Sequence, residues 1–170
     1  MEDFTPEMDI SLAAARIIAQ GMMRLAAADG VHPKEKAMIE AFLADCYAEA
    51  GGQESYEEIL DRDFDIAEAR QVLDSDELRE LFLKSNLLLA CADGIYSEPE
   101  QNMMDHYAID FGITAGRLRE LETQVKEYML SQFAGVQVFR DKAEALGRQL
   151  GLSADSIAHV LEIRQEISSP

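Results

Sequence analysis

Two short segments of the 170-residue chain carry the residue types that could do chemistry. Leu25-Ala26-Ala27-Ala28-Asp29-Gly30-Val31 matches Leu89-Ala90-Cys91-Ala92-Asp93-Gly94-Ile95, 64 positions further on. Each Asp-Gly pair is followed by a glutamate, Glu35 six positions after Asp29 and Glu100 seven after Asp93. With His32 and Ser97 as N-caps, both glutamates fall at the third helical position. Local structure accounts for much of this pattern. Ser97-Glu98-Pro99-Glu100 reads as a capping box, in which the serine oxygen takes a backbone amide and Glu100 reaches back to the Ser97 amide. Glu35 can do half of that with His32, and glycine after the aspartate supplies a positive φ. The aspartates themselves need more. An aspartate at a helix C-terminus faces the negative end of the macrodipole, at a cost of roughly 0.3–1 kcal/mol. Meeting that cost twice invites a counter-charge. A bound cation, a nearby arginine or hydrogen bonds from the following amides would each serve.

No other constellation competes. The chain has no HExxH, GxSxG, P-loop or GxGxxG sequence. A di-iron carboxylate bundle needs a Glu-x-x-His pair on each of two helices, and none exists. His32, His106 and His159 are scattered, and Asp155 with His159 reads as surface. Met22, Met23, Met103 and Met104 lie at helical spacing beside Ile and Leu and read as core. Cys46 and Cys91 are isolated and read as free thiols. An enzyme is therefore not expected.

The elements that must position the two turns are helical almost everywhere, because apolar residues recur with a 3.6-residue period. The first helix is expected from about Asp9 to Ala28, with Ile18, Met22 and Leu25 on one face. The second starts at Pro33, a favoured first-turn position, and stops at Gly51-Gly52. Residues 53–75 are the weakest stretch, with short helical pieces around Tyr56–Leu60 and Ile66–Leu73. Asp74 or Ser75 caps a strong helix through Leu81, Phe82 and Leu89 that ends at Asp93-Gly94. The next runs from Ser97 to Gly112. Thr114 caps a helix with Leu118, Leu121 and Val125 in one stripe. Phe139, Ala143, Leu146 and Leu150 mark another, and Ser153 caps the last, with Ile157, Leu161 and Ile167 inward. The expectation is an all-α chain of about seven to nine helices.

The duplicated turns organise these helices. They divide a single 1–170 domain into repeat 1 at about 10–50, an acidic connector at 53–75, repeat 2 at about 76–112 and C-terminal helices at 114–167. Two helix–turn–helix units of this kind suggest a pseudo-symmetric pair packed face to face.

Net charge is −18. Residues 1–114 hold 25 acids against 8 bases, and residues 54–80 alone hold 11 against 3. Binding to nucleic acid needs clustered Lys and Arg, so it is excluded as an expectation, as is an anionic membrane surface. Cations or a basic protein partner remain compatible with the acidity. No apolar run approaches the roughly 20 residues of a membrane span. Met1-Glu2-Asp3 lacks the basic start of a signal peptide, so a cytoplasmic location is expected.

Ala28-Asp29-Gly30 with Glu35, and Ala92-Asp93-Gly94 with Glu100, resemble the signature of the tellurite-resistance TerB-like family over about residues 10–150. That family includes the N-terminal domain of a membrane-anchored J-domain co-chaperone. The resemblance implies an all-helical two-repeat fold and a role in stress response or tellurite resistance. It also implies divalent-metal binding by acidic turn residues, and carried over it nominates Asp29, Glu35, Asp93 and Glu100. Carboxylate ligands favour hard ions, Ca²⁺, Mg²⁺ or Mn²⁺. The first turn is one residue short between Asp and Glu and is flanked by Lys34 and Lys36, whereas Glu98 adds charge to the second. If a single turn carries the site, the second is favoured. The alternative reading is a metal-free acidic adaptor that docks a basic protein partner. A homodimer is compatible with either.

Overall fold

The computed structural model describes residues 10–134 and 140–168. Among them nine α-helices follow one another with no strand: α1 (Leu12–Ala27), α2 (Pro33–Ala50), α3 (Tyr56–Leu60), α4 (Ile66–Val72), α5 (Asp76–Ala90), α6 (Glu98–Asp110), α7 (Ala115–Ala134), α8 (Arg140–Gln149) and α9 (Ala154–Ser168). The chain is all-α, as its periodicity implies. Phe139 and the side chain of Ile167 lie outside the described residues. No described helix is long and apolar enough to cross a membrane.

Helix starts follow side-chain chemistry. The side-chain oxygens of Ser11, Ser55, Asp65, Ser75, Ser97, Thr114 and Ser153 each accept a backbone amide two or three residues on. Each such bond satisfies a donor that the first helical turn leaves without a partner. Ser11 therefore sets the start of α1 at Leu12, three residues later than the apolar pattern alone suggests.

Helix α1 is buried on more than the single face read from Ile18, Met22 and Leu25. Ala14, Ala15, Ile17, Ala19, Met23 and Ala26 are also buried, because α2, α3, α4, α5 and α6 all pack around this helix. A helix that is apolar nearly all round belongs at the centre of a fold. Its equivalent in the second repeat, α5, lies against it and supplies Leu81, Phe82, Leu83, Leu87 and Leu89 to the same core. Met22, Met23 and Met104 are core residues, as expected, and Met103 packs against them. Cys91 is buried and Cys46 half-buried, both as free thiols.

The α1–α5 crossing depends on Gly21. A Cβ there would sit 2.4 Å from the Phe82 ring. That ring is in turn fixed by Tyr107 edge-on at 4.9 Å, by Phe111 at 4.8 Å and by Phe64 at 6.3 Å between centroids. The buried Tyr107 hydroxyl donates to the Gly21 carbonyl at 2.9 Å, which ties α6 to α1. Replacing Tyr107 by Phe should cost about 1 kcal/mol, the net worth of one buried neutral hydrogen bond. Chemical denaturation that reads no loss for Tyr107→Phe would contradict this anchor.

The connector forms the short α3 and α4, both packed on α1. Part of its negative charge is paired: Arg16 with Glu68 at 3.0 Å, Lys36 with Glu57 at 3.1 Å, and Arg62 with Glu54. Helix α7 then covers α5 and α6, and Arg117 holds it to α5 with two bonds to the Glu80 carboxylate at 2.7 and 2.8 Å. Helices α8 and α9 pack on α7 around a second, smaller cluster that includes Leu130, Ala143, Ile157 and Leu161.

Candidate metal centre

The two Asp-Gly turns are built alike. Gly30 and Gly94 both have positive φ, 99° and 81°. Val31 and Ile95, the residues that follow, are both largely exposed, at 47% and 57%. Each turn then delivers a glutamate into the first turn of the next helix. Glu35 Oε2 accepts from the His32 amide at 2.8 Å. Glu100 Oε2 accepts from the Ser97 amide at 2.8 Å and the Ser97 hydroxyl at 2.9 Å. The capping roles read from the sequence are therefore present. They also aim the two carboxylates: one oxygen of each is held by its own helix start, and no described residue bonds the other.

Glu35 and Glu100 occupy the same position in the helices that follow the two turns, and the packing of α1 against α5 and α6 brings the turns together. One carboxylate oxygen from each of Asp29, Glu35 and Glu100 lies within 4.8 Å of the others. Glu35 and Glu100 are buried, at 8% and 3% exposure, while Asp29 is exposed. The cluster thus takes two residues from the first turn and one from the second.

Asp93 is outside this trio. Its Oδ1 accepts from the Ile95 amide at 2.9 Å, which is the hydrogen-bond answer to the helix-dipole cost of an aspartate at this point. Glu98 is exposed at the first position of α6 and is not part of the group. The second turn is also the more enclosed. A Cβ on Gly94 would meet Leu146 at 3.1 Å and Gln149 at 3.2 Å of α8. Tyr96 donates to buried Glu122 of α7 at 2.9 Å, and Arg119 grips the same carboxylate at 2.6 and 2.8 Å. The first turn is open, with nothing within 4 Å of a Cβ on Gly30. The carboxylates that come together therefore belong to both turns rather than to the second alone.

The lysines whose charge counts against the first turn are engaged elsewhere. Lys34 Nζ donates to the Ala92 carbonyl at 2.8 Å, linking the first turn to the second. Lys36 reaches Glu57 and Glu40. Among the described residues no Lys, Arg or His forms an ion pair with Asp29, Glu35 or Glu100.

The Glu100 carboxyl is held above the usual glutamate range, first by burial and then by the charges of Asp29 and Glu35, with the Ser97 hydrogen bonds pulling the other way. A carboxyl whose folded-state pKa is raised binds its proton more tightly folded than unfolded. Its contribution to stability therefore falls as pH rises from the unfolded glutamate value through the folded one. In chelator, Glu100→Gln should gain stability relative to the wild type as pH is raised from about 4 to 7. Parallel urea titrations across that range check the sign; a constant difference would contradict it. Nearby Cys91 is no reactive thiol, because burial pushes it up to about 12.

The donor set suits a hard cation. It offers three carboxylate oxygens, no thiolate and no imidazole, and one of the three carboxylates is exposed to water. Comparison with protein families, with curated proteins and with solved structures finds no match to this chain. Its fold and its site define an all-α protein in which two helix–turn–helix repeats bring three carboxylates together.

Proposed function

We propose that this chain is a non-enzymatic module of TerB-like type that binds one divalent cation between its repeats. The ligands are Asp29, Glu35 and Glu100, and the ion is Ca²⁺, Mg²⁺ or Mn²⁺. The observation that carries the reading is the convergence of three carboxylates from two segments some 64 positions apart, two of them buried, with no cationic side chain paired to them among the described residues. Burying such a group without a counter-charge is costly, and a cation removes both the repulsion and the desolvation penalty. The resemblance of the two Ala-Asp-Gly turns adds a stress-response or tellurite-resistance-type role to the proposal. Asp93 serves in this account as a turn residue that shapes the second loop.

A cation held here would act as a clasp. It joins the α1–α2 turn to the start of α6, so its energy adds to the packing of one repeat on the other. Stripping the protein with chelator and titrating Mn²⁺ while following the free ion should give one site per chain. Glu100→Gln and Asp29→Asn should abolish it, and a stoichiometry of zero for the wild type would refute the proposal.

The acidic connector supports a second reading, a metal-free adaptor for a basic protein partner. Asp61, Asp63 and Asp74 of the connector, and Asp76 and Glu77 at the start of α5, form no ion pair among the described residues. Binding of that kind survives chelation and weakens steeply with salt.

A further inference from the structure

Away from the carboxylate trio, α1, α3 and the α3–α4 connector enclose an open cleft of about 330 Å³. That is near the lower end of small-ligand sites, about 300–1,000 Å³. Its accessible apolar lining is the half-buried Phe64 and the exposed Leu60, with Met23 and Ile59 buried behind them. Gln20 also lines it and is 95% buried, at 5% exposure. The Gln20 Nε2 donates to the carbonyls of Arg62 at 3.3 Å and Asp63 at 3.4 Å. Those two bonds fix the amide orientation and leave Oε1 as the atom without a partner among the described residues. The fully occluded side-chain atoms that lack a partner are Tyr47 Oη and Asn86 Oδ1. Gln20 Oε1 is not one of them, so it is not fully occluded.

Arg24 stands at the rim. Its guanidinium lies 4.9 Å from the Phe64 ring centroid. In a chain of net charge −18 it has no carboxylate partner among the described residues. Arg62, on the same rim, is already paired with Glu54. Asp63 lines the cleft as well, and its carboxylate forms no ion pair among the described residues. The cleft therefore offers one planar cation with free donors, one neutral acceptor, one carboxylate and an apolar lining.

We infer that this cleft binds a free apolar α-amino acid. Arg24 takes the α-carboxylate, for which its planar fork is suited. Gln20 Oε1 and Asp63 take the α-ammonium, since both are acceptors. The aliphatic or aromatic side chain lies against Phe64 and Leu60. The net charge of the protein repels polyanions such as nucleotides and phosphates, whereas a zwitterion carries no net charge into that field. The inference does not depend on cation binding at the trio.

The test is a ¹⁵N–¹H titration of the wild type with leucine and with phenylalanine, beside leucinamide and N-acetylleucine. The expected result is saturable shifts at Gln20, Arg24 and Phe64. Leucinamide and N-acetylleucine should each bind at least about tenfold more weakly, as each lacks one charged partner. Arg24→Met, a change at an exposed position, should weaken leucine at least about tenfold while the rest of the spectrum stays folded. Asp63→Asn should weaken it in the same direction. Three results would overturn the inference: no shifts from either amino acid up to about 20 mM, leucine binding unchanged in Arg24→Met, or N-acetylleucine binding as well as leucine.

Discussion

Saturating Ca²⁺, Mg²⁺ or Mn²⁺ should raise the melting temperature of this protein, and the increment should vanish in Asp29→Asn, Glu35→Gln and Glu100→Gln. A ligand present at about 100 times its Kd stabilises the folded state by about 2.7 kcal/mol. For a chain of this length that corresponds to about 5–10 °C. The variants carry a second signature, because cation binding and electrostatic repulsion have opposite signs here. In chelator the wild-type trio is three carboxylates within 4.8 Å of one another. Neutralising one relieves that repulsion, so Asp29→Asn and Glu100→Gln should melt no lower than the wild type when metal-free. A variant that merely damaged the fold would melt lower with and without the ion. Asp93→Asn is the control. Its Oδ1 accepts from the Ile95 amide rather than joining the trio, so it should keep the metal increment. Equal loss of the increment in Asp93→Asn would move the site to the second turn.

The second large effect is expected far from the carboxylates, at Gly21. Gly→Ala inside a helix ordinarily stabilises by roughly 0.5–1 kcal/mol. Here the new methyl would sit 2.4 Å from two atoms of the Phe82 ring and 3.2 Å from the Asn86 side chain. The ring cannot retreat cheaply, since Tyr107, Phe111 and Phe64 surround it. Overpacking of a filled core costs about 1–3 kcal/mol, and it outweighs the propensity gain. Gly21→Ala should lower the melting temperature by about 2–8 °C. Gly116, near the start of α7, provides the contrast, because a methyl added there would meet nothing within 4 Å. Gly116→Ala should be neutral or stabilising. If both glycines gave the same small change, the α1–α5 crossing would not be the tight contact described.

Much of this architecture is legible from residue order alone. Caps at Ser75, Ser97, Thr114 and Ser153 and the glycines at 30, 51 and 94 mark helix boundaries, because each satisfies a local backbone need that one sequence can reveal. Helices α3 and α4 are visible inside the acidic connector as short helical pieces, whereas their caps, Ser55 and Asp65, emerge only in the structure. The all-round burial of α1 is harder to see. Alanines at 14, 15, 19 and 26 carry little hydrophobic signal, yet they let five helices approach closely.

The site is legible in its parts and not in its assembly. Glu35 and Glu100 both fall at the third helical position, and that equivalence is the available clue: a pseudo-symmetric pair can bring equivalent residues together at its axis. Which aspartate joins them is not readable, because Asp29 and Asp93 have the same local sequence. The difference is tertiary. Helix α8 packs against Gly94 and α7 holds Tyr96, and neither helix belongs to the duplication. The partners of Lys34 and Lys36 are unreadable for the same reason, since one bonds a carbonyl of the other turn and the other reaches the connector. The cleft at Gln20 and Arg24 leaves no trace in the sequence, because its hydrogen bonds join residues 42 and 43 positions apart.

The decisive measurement for the shared cation site is an anomalous difference map from crystals of the full chain grown with Mn²⁺. One peak is expected, coordinated by Asp29, Glu35 and Glu100, with water completing the shell. A peak at Asp93 without Glu35, or none at either turn, would contradict it.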